Sequence, residues 1–114
     1  MSLPGKWLPV RAELDGQPAP ALALERMEFH LTATDYAVHF GGEPYDCGTF
    51  THTETTLHLT AQKGPNAGRV ITAIYQLAGD RLRICYGLDG TSPSDFKTSP
   101  ASARYLVTYR RHST

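Results

Sequence analysis

The chain has 114 residues, 40% of them hydrophobic and 10% aromatic, with 11 basic side chains against 11 acidic ones. That composition describes one domain able to bury its own core, and it excludes a disordered or fibrous chain. Zero net charge argues against a nucleic-acid partner, and no apolar run reaches the about 18 residues of a membrane span.

Lys6 to Leu14 alternates as a strand, with Leu8, Val10, Ala12 and Leu14 on one face and Trp7, Pro9, Arg11 and Glu13 on the other. Asp15-Gly16 is a turn, and Pro18 and Pro20 bracket a loop. Ala21 to Arg26 holds good helix formers over one or two turns, so a short helix is expected between the first and second strands. Met27 to Thr34 and Tyr36 to Phe40 follow as strands, then the turn Gly41-Gly42-Glu43-Pro44. Asp46 to His52 and Thr55 to Gln62 are the next two strands, ended by a loop over 63–68. Arg69 to Leu77 turns through Ala78-Gly79-Asp80 into Arg81 to Tyr86. The stretch 87–103 is rich in Gly, Ser, Pro and Thr and reads as a long loop folded over one end, with Phe96 as its anchor. Arg104 to Arg111 is the last strand.

Eight short strands with hairpin-length connections and no βαβ crossover predict an all-β, antiparallel, up-and-down barrel, with an open sandwich as the alternative. Closure removes the edge strands. Eight strands enclose an interior that side chains fill, or that holds one small ligand. The first and last strands would then pair, which brings Trp7 beside Arg110 or Arg111. Arg111 is favoured, because it shares a face with Tyr105, Val107 and Tyr109.

Cys47 and Cys85 are far apart and outside any Cys-x-x-Cys motif, so two free thiols are expected. The stretch Met1-Ser-Leu-Pro-Gly5 lacks the form of a signal peptide, so a cytoplasmic location is expected. His30, His39, His52 and His58 lie opposite the apolar faces of their strands and read as outward and solvated. His30 with His39, or His52 with His58, could meet across neighbouring strands. With no His-x-His or His-Glu-x-x-His motif, neither a metal nor a cofactor is expected. The sequence also lacks a Gly-x-Ser-x-Gly elbow and the Lys-Ser/Thr of a phosphate-binding loop.

The pattern Gly5-x-Trp7, Asp15-Gly16, Cys47-Gly48-Thr49-Phe50, Ile74-Tyr75-x-Leu77-x-Gly79-Asp80-x-Leu82-x-Ile84-Cys85 and Asp95-Phe96-x-Thr98-x-Pro100 resembles a family of small bacterial lipocalin-like domains abundant in planctomycetes. The resemblance spans nearly the whole chain. It implies a single lipocalin-like barrel over residues 1–114 and binding of a small apolar ligand, and it implies no reaction. In such barrels the tryptophan plugs the closed end under an arginine of the last strand, a role that falls here to Trp7 and Arg111. The family pattern has an Arg-Pro pair before its phenylalanine block. This chain has Ser92-Pro93 there, so that arginine's role does not carry over.

Phe29, Tyr36, Phe40, Phe50, Tyr75, Tyr86, Tyr105 and Tyr109 are many rings for so small a barrel. Either they fill the core, or they line a pocket whose tyrosines supply both apolar wall and polar handle. Arg11 and Glu13 join that lining if the first strand alternates strictly, and would suit a ligand carboxylate or hydroxyl. A β-bulge would turn both to solvent. The expected function is binding of a small, largely apolar molecule. The alternatives are a cyclase or isomerase that works by proximity and desolvation, and an interaction module with a filled core.

Overall fold

The computed structural model describes residues 3–64, 67–100 and 102–112. Pro65 and Asn66 of the expected 63–68 loop, and Ala101 of the 87–103 loop, lie outside the described residues.

The chain forms an eight-stranded, closed antiparallel barrel. In order come β1 (Gly5–Leu14), the two-residue β2 (Gln17–Pro18), α1 (Ala21–Glu25), β3 (Met27–Leu31), β4 (Asp35–Phe40), β5 (Glu43–His52), β6 (Thr56–Lys63), β7 (Val70–Ala78), β8 (Arg81–Gly87) and β9 (Arg104–Arg111). Neighbours in sequence pair around the wall, and β1 closes it by pairing with both β3 and β9. β2 is a short hairpin return on the end of β1, pairing Glu13 with Pro18. The helix therefore sits before the second long strand. No helix among the described residues is long and apolar enough to cross a membrane.

Period-2 alternation sets the core. Leu57, Leu59 and Ala61 of β6, Ala73 and Tyr75 of β7, Leu82, Ile84 and Tyr86 of β8, and Val107 and Tyr109 of β9 are buried. Two departures from alternation matter. On β1 the pairing with β9 skips Val10, which sits between the Pro9–Tyr109 and Arg11–Thr108 pairs as a bulge. Burial then passes from Trp7 and Pro9 to Ala12, and Arg11 is exposed. On β5, Tyr45 is skipped between the Val38–Asp46 and His39–Pro44 pairs.

The end that carries Trp7 is closed. Trp7 is fully buried and its indole Nε1–H donates to the Leu3 carbonyl at 2.9 Å. The Arg111 guanidinium lies over the indole, 4.2 Å from the ring centroid, and its Nη1 donates to the Pro4 carbonyl at 2.9 Å. Gly5 holds a φ of +146°, and a Cβ there would meet Arg111 Nη1 at 2.7 Å, so a larger residue would displace this cap. Leu31, Phe50, Leu57 and Tyr75 complete the floor. Turns at this end are fastened by threonines: Thr32 Oγ1 accepts the Asp35 N–H, and Thr53 Oγ1 accepts the Thr56 N–H.

At the other end β1 and β3 part. Their ladder covers only Gly5–Leu31, Lys6–His30 and Trp7–Phe29. The Lys6 carbonyl accepts from His112 on the β9 side, so by alternation the backbone of Pro9 faces β3. Proline has no N–H to extend that ladder. The gap is flanked by α1, whose Leu24 packs on the core.

Candidate functional site

The parted end of the barrel contains a cavity of about 160 Å³. Strands β3, β4, β8 and β9 supply its rings: Phe29, Tyr36, Tyr86, Tyr105 and Tyr109. Val38, Leu59, Ile71 and Val107 give aliphatic wall, and Tyr45, Asp46, Met27 and Leu88 stand toward the mouth. Each ring points inward because it occupies the same parity as the core residues of its strand.

The rings form one connected arc. Tyr105 stacks on Tyr86 with centroids 5.7 Å apart. The Tyr86 and Tyr109 hydroxyls meet at 2.9 Å in a buried hydrogen bond. Tyr109 stacks on Phe29 at 5.2 Å, and Phe29 meets Tyr36 at 6.3 Å. The Tyr36 hydroxyl donates to Asp46 Oδ1 at 3.3 Å. The arc thus runs from an apolar interior to a carboxylate.

Electrostatics keep that interior neutral. Burial pushes the Tyr86, Tyr105 and Tyr109 phenols above their ordinary value, and burial with the adjacent Asp46 charge does the same for Tyr36. All four remain protonated hydrogen-bond donors at neutral pH. Glu28 borders the cavity where β1 and β3 part. Its carboxylate faces outward to His30 at 2.9 Å and Lys6 at 3.3 Å, and the His30 hydrogen bond leads in lowering its pKa.

Several expected lining residues stand elsewhere. Arg11 and Glu13 point away from the interior, because the Val10 bulge shifts the parity of β1. Together with Arg83 and Thr108 they border a second, more polar recess on the outer face. Phe40 has inward parity, but it is the last residue of β4 beside the 41–42 turn and is 42% exposed. Phe50 and Tyr75 are buried at the closed end, where the Tyr75 hydroxyl donates to the Thr53 carbonyl at 2.5 Å. Asp46 was missed, although it shares parity with Phe50 on β5. That alternation was the signal for it.

Residues 88–100 form a strap along the outer wall. Thr98 Oγ1 donates to Glu13 Oε1 at 2.7 Å and accepts the Gly16 N–H at 2.9 Å. Phe96 does anchor it, but on the outside, under the Arg83 guanidinium at 4.1 Å. The Asp95 carboxylate pairs with Arg104 at 2.8 Å. Cys85, outward on β8, is fully buried, and its thiol is pushed up by that burial. Both cysteines are free thiols.

Among the histidines, the His30 and His39 rings meet at 4.4 Å, whereas His58 pairs in register with Thr51 and not with His52. No group of three His, Cys, Asp or Glu among the described residues is arranged to hold a metal ion.

No protein-family model, no curated protein and no solved structure matches this chain.

Proposed function

We propose that the protein binds a small, largely apolar molecule in the open end of its barrel. The observation that carries this reading is the cavity of about 160 Å³, walled by five rings and by Val38, Leu59, Ile71 and Val107. Interiors are ordinarily packed like organic crystals, so space of this size among inward rings at the open end supports a binding site over a core filled to its mouth. An apolar cavity of about 150 Å³ holds a benzene ring, which sets the scale of the occupant at one ring or a short branched chain. That scale also weighs against a cyclase, which would need room to fold a long polyene. Burial moves the interior phenols away from neutrality rather than toward it, which suits a binding wall better than an acid–base catalyst. The lipocalin-like resemblance of the sequence points the same way. Two free thiols fit a reducing, cytoplasmic setting.

Titration with toluene, followed by methyl NMR, tests the proposal. Chemical-shift changes should gather on Val38, Leu59, Ile71 and Val107 and leave Leu31 and Leu57 still. A Val38→Trp variant should fill the space and abolish the response while the closed-end signals persist. No response in the wild-type protein up to the solubility limit of toluene would sink the reading.

A further inference from the structure

We propose that the occupant of this cavity carries a hydrogen-bond acceptor, a carbonyl, ether or ring nitrogen, which accepts the hydrogen bond donated by the spare O–H of the Tyr86–Tyr109 pair. The proposal deepens the binding reading and rests on it. Its basis is a count of donors. Each phenol has one O–H, and the 2.9 Å contact between the two oxygens uses one of the two hydrogens. The second O–H has no acceptor among the described residues. Both side chains are buried, at 9% and 6% exposure, and both line the cavity.

A buried donor without a partner is costly, by about 1–3 kcal/mol. An acceptor on the ligand recovers that loss, and a ligand with only donors or only hydrocarbon does not. The other phenols of the lining have less need of the ligand: Tyr36 donates to Asp46, Tyr45 is exposed and Tyr105 is only half-buried, so water can serve both. The acceptor is therefore directed deep, to the Tyr86–Tyr109 pair. The ligand's apolar ring then lies among Phe29, Tyr105 and Val107, and any substituent leaves past Asp46. A carboxylate on the ligand is disfavoured twice, by the apolar wall and by the Asp46 charge. The chemical class is a neutral, single-ring ketone, ether or azine.

Acetophenone and cumene have nearly the same shape and differ in whether a carbonyl is present. Calorimetric titration of both into the wild-type chain, Tyr86→Phe, Tyr109→Phe and the double variant gives the test. In the double variant acetophenone should bind about tenfold more weakly, the usual worth of one hydrogen bond, while cumene binds as well or better. A single substitution leaves one hydroxyl with its proton free. At least one single variant should therefore keep most of the acetophenone affinity, a pattern that a merely structural role would not produce. Cumene binding also reports that each variant is folded. Parallel losses for both probes, or a wild-type protein that takes cumene but not acetophenone, would overturn the acceptor proposal and leave the cavity reading standing. A wild-type protein that binds neither overturns both.

Discussion

Trp7 and Arg111 show how much one pair of residues settles at the closed end. The indole is sealed from water, its N–H is satisfied by Leu3, and the guanidinium covers its face while bonding the Pro4 carbonyl. Arg111→Gln should cost about 1–2 kcal/mol, the worth of a cation–π contact that is partly desolvated, read as a lower urea midpoint. Trp7 is the only tryptophan, and it lies at the end away from the cavity. Its fluorescence should stay nearly constant on ligand binding, while tyrosine emission changes. The buried phenols make a second prediction. Tyr36, Tyr86, Tyr105 and Tyr109 have folded-state pKa values raised above the unfolded value near 10. Their contribution to stability is full below that pH and is lost as pH rises toward the folded values. Stability should therefore fall above about pH 10, with tyrosinate absorbance rising in step with loss of circular dichroism. Free titration of these phenols in a barrel that stays folded would contradict this.

At the scale of elements, the Val10 bulge decides which side chains of β1 face the interior. Strict alternation would carry Arg11 and Glu13 inward with Trp7. The extra residue sends them outward instead, where Glu13 receives the Thr98 hydroxyl. Deleting Val10 removes only the extra residue, so Arg11 stays opposite Thr108, Ala12 stays opposite Val107 and both charges remain outward; the shortened chain should stay folded, at a cost of about 0.5–3 kcal/mol. Val10→Ala keeps the bulge at an exposed position and should cost under about 0.5 kcal/mol. Thermal melts check both variants, and a deletion variant that fails to fold would show that the bulge itself, rather than the facing of the charges, holds the strand. The strap is the second element with a testable role. Thr98→Val removes its bonds to Glu13 and Gly16. Cys85 lies beneath the strap, so its labelling by a thiol reagent, slow in the wild-type chain, should quicken by tenfold or more (about 1.4 kcal/mol of easier opening). An unchanged rate would show that the strap does not gate that thiol.

For the whole molecule, closure joins the two chain ends. Trp7 pairs with Arg111, and β9 lies between β8 and β1. Most pairings are local hairpins, yet the seam spans nearly the entire sequence. Loop closure over that distance makes folding slow, on the order of milliseconds to seconds for such topologies. A chain truncated before β9 leaves β1 and β8 as open edges, and it should aggregate rather than fold. Closure also leaves one end sealed and the other parted, and this asymmetry creates the cavity.

The strands, their inward faces and the meeting of Trp7 with the last strand were legible from alternation and turn residues alone, because side-chain parity along a strand is a local property. Phe29, Tyr36, Tyr86, Tyr105 and Tyr109 were therefore readable as interior positions. Their division from Phe50 and Tyr75 was not, because it depends on height along the barrel axis, which register sets between strands. The outward turn of Arg11 and Glu13 was not legible either: a bulge is defined by the partner strand's pairing, and Val10 looks like any other β-branched residue. The strap's course and the hydroxyl contact between Tyr86 and Tyr109 likewise needed three dimensions. Sequence by itself determined a barrel rich in inward rings. Tertiary structure decided that these rings leave a ligand-sized space at one end, because only the closed sheet fixes which side chains share a level.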